Sequence, residues 1–172
     1  MALAAFIAFL FCDGFYKSIW EFVAAAGFIA LFPILAYPLS AVIPPFKGRE
    51  GQRNLAFIMC NVGYILGVLY AVIFSAGKPV TVMLVTYLLS GSTLLLVNKL
   101  FRFKASGHGC GLMGPLAALV YFVSIKILPF GIALFALALW SSVVMKRHTL
   151  AQFVVGSAIP VVWLIVVSFI IL

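Results

Sequence analysis

Two short polar stretches interrupt a chain that is otherwise dominated by apolar residues. Residues 103–111 read FKASGHGCG and bring Lys104, Ser106 and His108 within five positions of one another. Residues 145–152 read MKRHTLAQ, with Lys146 and Arg147 directly before His148 and with Gln152 four positions after it. The chain has only two histidines, and each follows cations and opens an apolar run. Lysine and arginine give short, charge-assisted hydrogen bonds to phosphate oxygens. One imidazole can attack phosphorus while a second protonates the departing oxygen. Basic loops between membrane helices are commonly topology signals, but that role alone does not account for two histidines placed in this way.

The elements that must position these residues are membrane helices. Of 172 residues, 66% are hydrophobic and 8% charged, with a mean hydropathy of +1.31, far from the balance of a water-soluble domain. Apolar stretches of about 20 residues cross a ~30 Å hydrocarbon core as helices, because in lipid the backbone must satisfy its own hydrogen bonds. The chain therefore reads as an all-α polytopic bundle in one membrane-embedded domain, residues 1–172. About six spans are expected, near 19–43, 54–75, 79–98, 107–125, 127–145 and 149–172. The first run, MALAAFIAFLFC, is too short to cross comfortably, and residues 1–18 read as an interfacial or re-entrant segment. Cys12, Cys60 and Cys110 show neither a pairing pattern nor metal-ligand spacing, so free, mostly buried thiols and no metal are expected.

Alternating crossings sort the loops onto two faces. One face collects Lys47, Arg49, Arg53, Lys99, Arg102, Lys104, Lys146 and Arg147 against Glu50, a net of +7, whereas Lys17, Lys78 and Lys126 against Asp13 and Glu21 leave +1 on the other. Both histidines fall on the basic face. A net charge of +8 would suggest nucleic acid in a soluble protein. Confined to short membrane loops, it points instead to phosphate on lipid headgroups or on a substrate, with no nucleic acid partner.

The two motifs resemble those of the type 2 phosphatidic acid phosphatase superfamily, in its membrane lipid phosphatase branch. That family carries Lys-x6-Arg-Pro, then Pro-Ser-Gly-His, then Ser-Arg-x5-His-x3-Asp. Ala105-Ser106-Gly107-His108 corresponds to the second motif, and Ser141-Ser142 through His148 to Gln152 corresponds to the third. Lys47 and Arg53 stand for the first, one residue closer together and followed by Asn54. Ser142 takes the place of the family arginine and Gln152 that of its aspartate. The likeness spans roughly residues 44–172.

The resemblance implies a metal- and cofactor-independent phosphatase acting on a lipid phosphomonoester or diphosphate, such as phosphatidate, phosphatidylglycerol phosphate or a polyprenyl phosphate. His148 would be the nucleophile and form a phosphohistidine, His108 the general acid and then base, and Gln152 the group that orients His148. Lys47, Arg53, Lys104, Ser106, Gly107 and Arg147 would bind phosphate. The alternative is a relative that binds or transports lipid phosphates without hydrolysing them. The expected location is a cell membrane, multi-pass, with the site on the cytoplasmic side by the positive-inside rule.

Overall fold

The computed structural model describes residues 2–172, and their side chains from Ala5 onward. Seven helices and no strands occur among the described residues: α1 (Ala2–Phe11), α2 (Ile19–Val42), α3 (Gly48–Ile73), α4 (Lys78–Lys99), α5 (Gly107–Phe122), α6 (Leu128–Val144) and α7 (Leu150–Ile171). Helices α2, α3, α4 and α7, together with α6 and the 3-10 turn Ile125–Ile127 before it, are long and apolar enough to cross a membrane. The protein is a multi-pass, membrane-integral helical bundle.

Proline chemistry punctuates it. Pro79 and Pro129 lie in the first turns of α4 and α6, where the missing N–H has no intrahelical partner to lose. Pro33 cannot return an N–H to residue 29, and α2 widens into a π turn at Gly27–Leu31 just before it. Pro38, Pro115 and Pro160 lie inside α2, α5 and α7, as a bundle with close neighbours permits.

Five of the six expected spans have full length, and the sixth is shorter than the sequence suggested. Helix α5 has 16 residues and ends at Phe122, giving about 24 Å of rise against a ~30 Å core. Rather than crossing alone, it packs most extensively on α7 and also touches α1, α4 and α6. Helix α3 lies between α2 and α4, and α4 packs against α7. The interior is filled by Ile29, Tyr64, Val80, Leu84 and Tyr87 between the first helices, by Val82, Leu164 and Val167, and by Leu94, Ala105 and Ile159 near the basic face.

The sparsely charged face is fastened around one carboxylate. Glu21, 4% exposed, accepts the backbone N–H of Lys17 at 2.5 Å and that of Gly77 at 2.6 Å. Lys17 Nζ in turn donates to the Ser75 carbonyl. The N-terminal segment is thereby tied to the α3–α4 loop. It is a helix that buries Ala5 and Ala8, followed by a turn in which Cys12 Sγ donates to the Phe122 carbonyl at 2.7 Å. Burial pushes the Cys12 thiol and the Tyr16 phenol above their usual ranges, aided by Asp13 and Glu21 respectively. The three cysteines are free and half-buried.

Candidate functional site

At the opposite, basic end, the two histidine-bearing segments come together. After α4 the chain folds back on itself: the Asn98 amide donates to the Ala105 carbonyl at 3.2 Å, and Phe103 N–H points to Val97 O at 3.4 Å. The strap 100–106 then docks on the start of α7. Ser106 N–H donates to Gln152 O at 2.9 Å, and Gln152 Nε2 donates to Phe103 O at 3.3 Å. Contact is so close that a Cβ on Gly156 would lie 2.3 Å from the Ser106 carbonyl oxygen, and one on Gly109 would lie 2.6 Å from Ser157 Oγ. Only glycine allows this approach. Ser106 therefore sits level with residues 152–156, so α5 begins about one turn further into the bundle than α7.

His108 is exposed in the first turn of α5, and His148 is half-buried immediately before the cap of α7. His148 Nδ1 is buried without a hydrogen-bond partner, as are Asn98 Oδ1 and Ser157 Oγ at the same end of the bundle. Thr86 Oγ1, Ser90 Oγ and Ser168 Oγ, within α4 and α7, are unpaired as well; buried polar atoms are nearly always paired, and His148 Nδ1 is the one imidazole nitrogen among these. The backbone is also unusual. Arg102, Lys104 and Lys146, in the two loops leading to the histidines, adopt left-handed φ values of 52°, 56° and 52°. Such conformations cost non-glycine residues ~1–2 kcal/mol each and gather at functional sites.

Two expected roles are corrected by the local geometry. Ser106 is fully buried (0% exposed) and is the N-cap of α5, its Oγ accepting Gly109 N–H at 3.2 Å. It shapes the start of the helix and is not placed to meet a ligand. The first-turn N–H groups of Gly107 and His108 have no backbone acceptor among the described residues and remain the donors of this turn. Gln152 does not hold His148. Its Oε1 accepts Thr149 N–H at 3.0 Å and its own N–H goes to Thr149 Oγ1 at 3.3 Å, forming a reciprocal capping box. The expected pairing assumed that His148 and Gln152 share one turn of helix. Because Thr149 is the cap, His148 lies outside the helix and the four-residue spacing brings no contact.

The cations are distributed unevenly. Arg53, Lys104 and Arg147 are exposed at this end. Arg53 lies one turn from Phe57, which packs against the cluster containing Ala105, so its helix face is the one turned toward the strap. Lys47 instead lines a groove between the end of α2 and the start of α3 with Tyr37, Ser40, Arg49 and Gln52, and neither histidine borders it.

Asn98, Thr149 and Gly156 hold this site together and were not singled out by the sequence motifs, although Thr-x-x-Gln before an apolar run is a recognisable cap signature. Thr149→Ala is expected to cost about 1 kcal/mol through the lost cap. Gln152→Leu should cost somewhat more, about 1–2 kcal/mol, because it removes two hydrogen bonds, to Thr149 N–H and to Phe103 O. Thermal inactivation of the two variants side by side checks this order. No family model, curated protein or solved structure matches the chain.

Proposed function

We propose that the protein is a membrane-integral phosphatase acting on the phosphomonoester or diphosphate of a lipid. The observation that carries this reading is the docking of the α5 and α7 starts through Ser106 N–H and Gln152 O, with His108 two residues after Ser106 and His148 four residues before Gln152. Around them are Arg53, Lys104 and Arg147 and the free N–H groups of the first turn of α5, where the helix dipole favours an anion.

In this mechanism the headgroup phosphate is neutralised by those cations while its acyl or prenyl chain lies among the apolar helices. With Nδ1 buried, His148 Nε2 attacks phosphorus, and the phosphorus–oxygen bond to the lipid breaks. His108 gives its proton to the leaving oxygen. As a base it then takes a proton from water, which attacks the phosphohistidine, releases inorganic phosphate and restores both imidazoles. Fixed cations supply the electrostatic stabilisation.

A second reading, a lipid-phosphate binder or carrier without turnover, is favoured by one observation: the Gln152 amide is committed to the cap, and among the described residues no carboxylate is hydrogen-bonded to His148. Assaying the purified protein for phosphate release from phosphatidate, phosphatidylglycerol phosphate and polyprenyl mono- and diphosphates separates the two. Release from at least one supports the phosphatase, and tight retention without release from any supports the carrier. The surplus of basic residues outside the motifs, Arg49, Lys99 and Arg102, supports a cytoplasmic site in a cell membrane. Cysteine labelling of the 44–54 loop against the 75–79 loop tests that orientation.

A further inference from the structure

We infer that the groove between the end of α2 and the start of α3 is a separate binding site for the headgroup of an anionic phospholipid from the surrounding bilayer. The groove has a volume of about 340 Å³ and is lined by Lys47 and Arg49 together with Tyr37, Ser40 and Gln52. No acid lines it; Glu50 follows Arg49 in the chain but is not among the lining residues.

Its floor is built rather than accidental. Ser40 is buried, donates its hydroxyl to Tyr37 O at 2.8 Å, and accepts from Gln52 Nε2 at 3.3 Å. That second bond ties the two helices together beneath the cations. The groove opens where the apolar spans of α2 and α3 end, and Ile34, Tyr37 and Val42 of α2 are exposed, as are Ile58 and, deeper along the span, Ile65 of α3. A two-chain lipid can therefore place its phosphate between Lys47 and Arg49 while its tails follow the outer apolar surface of the two helices. An exposed tyrosine at this depth fits the amphipathic belt of a membrane interface.

The ligand chemistry is a phosphate oxyanion, which a lipid headgroup or free phosphate could both supply. Attachment to apolar helix surfaces selects the lipid. This site does not depend on turnover at the histidines, since a phosphodiester headgroup is not consumed by the chemistry proposed for them.

Native mass spectrometry of the full-length protein in mixed micelles of neutral detergent with phosphatidylglycerol or phosphatidylcholine tests it. Wild-type protein should retain phosphatidylglycerol in preference to phosphatidylcholine. Each cation removed near a membrane surface should weaken retention about fivefold, so Lys47→Gln with Arg49→Gln should lose roughly 25-fold. Lys78→Gln with Lys126→Gln, on the opposite face, should retain the lipid like wild type. Equal retention of the two lipids, equal loss in both double variants, or binding of inorganic phosphate with no lipid retained would each overturn the assignment.

Discussion

Replacing His148 with alanine is expected to reduce phosphate release from the preferred lipid substrate by roughly 10⁴-fold or more, the scale seen when a nucleophile is removed from a group of residues acting together. His108→Ala is expected to lose less, roughly 10²–10⁴-fold, because a general acid assists bond breaking without forming the covalent bond. The two losses should not add in the double variant, since removal of the nucleophile leaves the acid nothing to protonate. Substrate binding should survive in both single variants, because the phosphate is held by Arg53, Lys104, Arg147 and the first turn of α5. A fall in kcat at nearly constant KM, measured in detergent with the same lipid, is the expected pattern.

Adding a single methyl group at Gly156 should have a large structural effect, because it acts directly on the contact between the strap and α7. A Cβ there would lie 2.3 Å from Ser106 O, 2.7 Å from Ser106 N and 3.0 Å from Ser106 C, all backbone atoms that no side-chain rotation can clear. Gly156→Ala is therefore expected to cost about 1–3 kcal/mol and to push the 100–106 strap off α7, displacing the start of α5 that carries His108. Activity should fall further than stability alone requires. Gly111→Ala is the matched control: a Cβ at that position meets nothing within 4 Å, and in a helix the change should be neutral or stabilise by about 0.5–1 kcal/mol. Thermal inactivation and phosphate release measured on both variants separate displacement of the strap from general loss of packing.

Much of the bundle can be read in the sequence because lipid enforces a simple rule: long apolar runs become helices, and the polar breaks between them become loops. Breaks at SAGKP and MKRHT mark helix ends to within a few residues, whereas α3 begins at Gly48, six residues before the expected start at 54, so that most of the polar stretch GREGQRN is helix and not loop. Charge by face is equally legible, since loop parity follows from span count. Helix α5 was harder, because hydropathy does not show that Val123 and Ser124 break the helix before the 3-10 turn at Ile125–Ile127. Local hydrogen bonding decided that end. At the site, the position of both histidines near helix starts was legible, whereas the parts played by Ser106 and Gln152 were not. A motif gives residue order, but whether a residue falls inside a helix or before its cap is fixed by one turn of backbone. Thr149 takes the cap, and this redirects Gln152 from His148 to the strap. Gly156 was silent for a different reason: its importance lies in a contact with Ser106, 50 positions earlier in the chain, which no local pattern encodes.

Rapid quenching of wild-type protein in alkaline SDS after mixing with lipid carrying ³²P-labelled phosphate tests the paired-histidine mechanism most directly. The expected result is label on the protein that is stable to base and lost in acid on standing, as a phosphohistidine is. The label should be absent from His148→Ala and should still form, but decay more slowly, in His108→Ala, where the base that activates water is missing. Phosphate release by His148→Ala at the wild-type rate, or a label that persists on that variant, would contradict the mechanism.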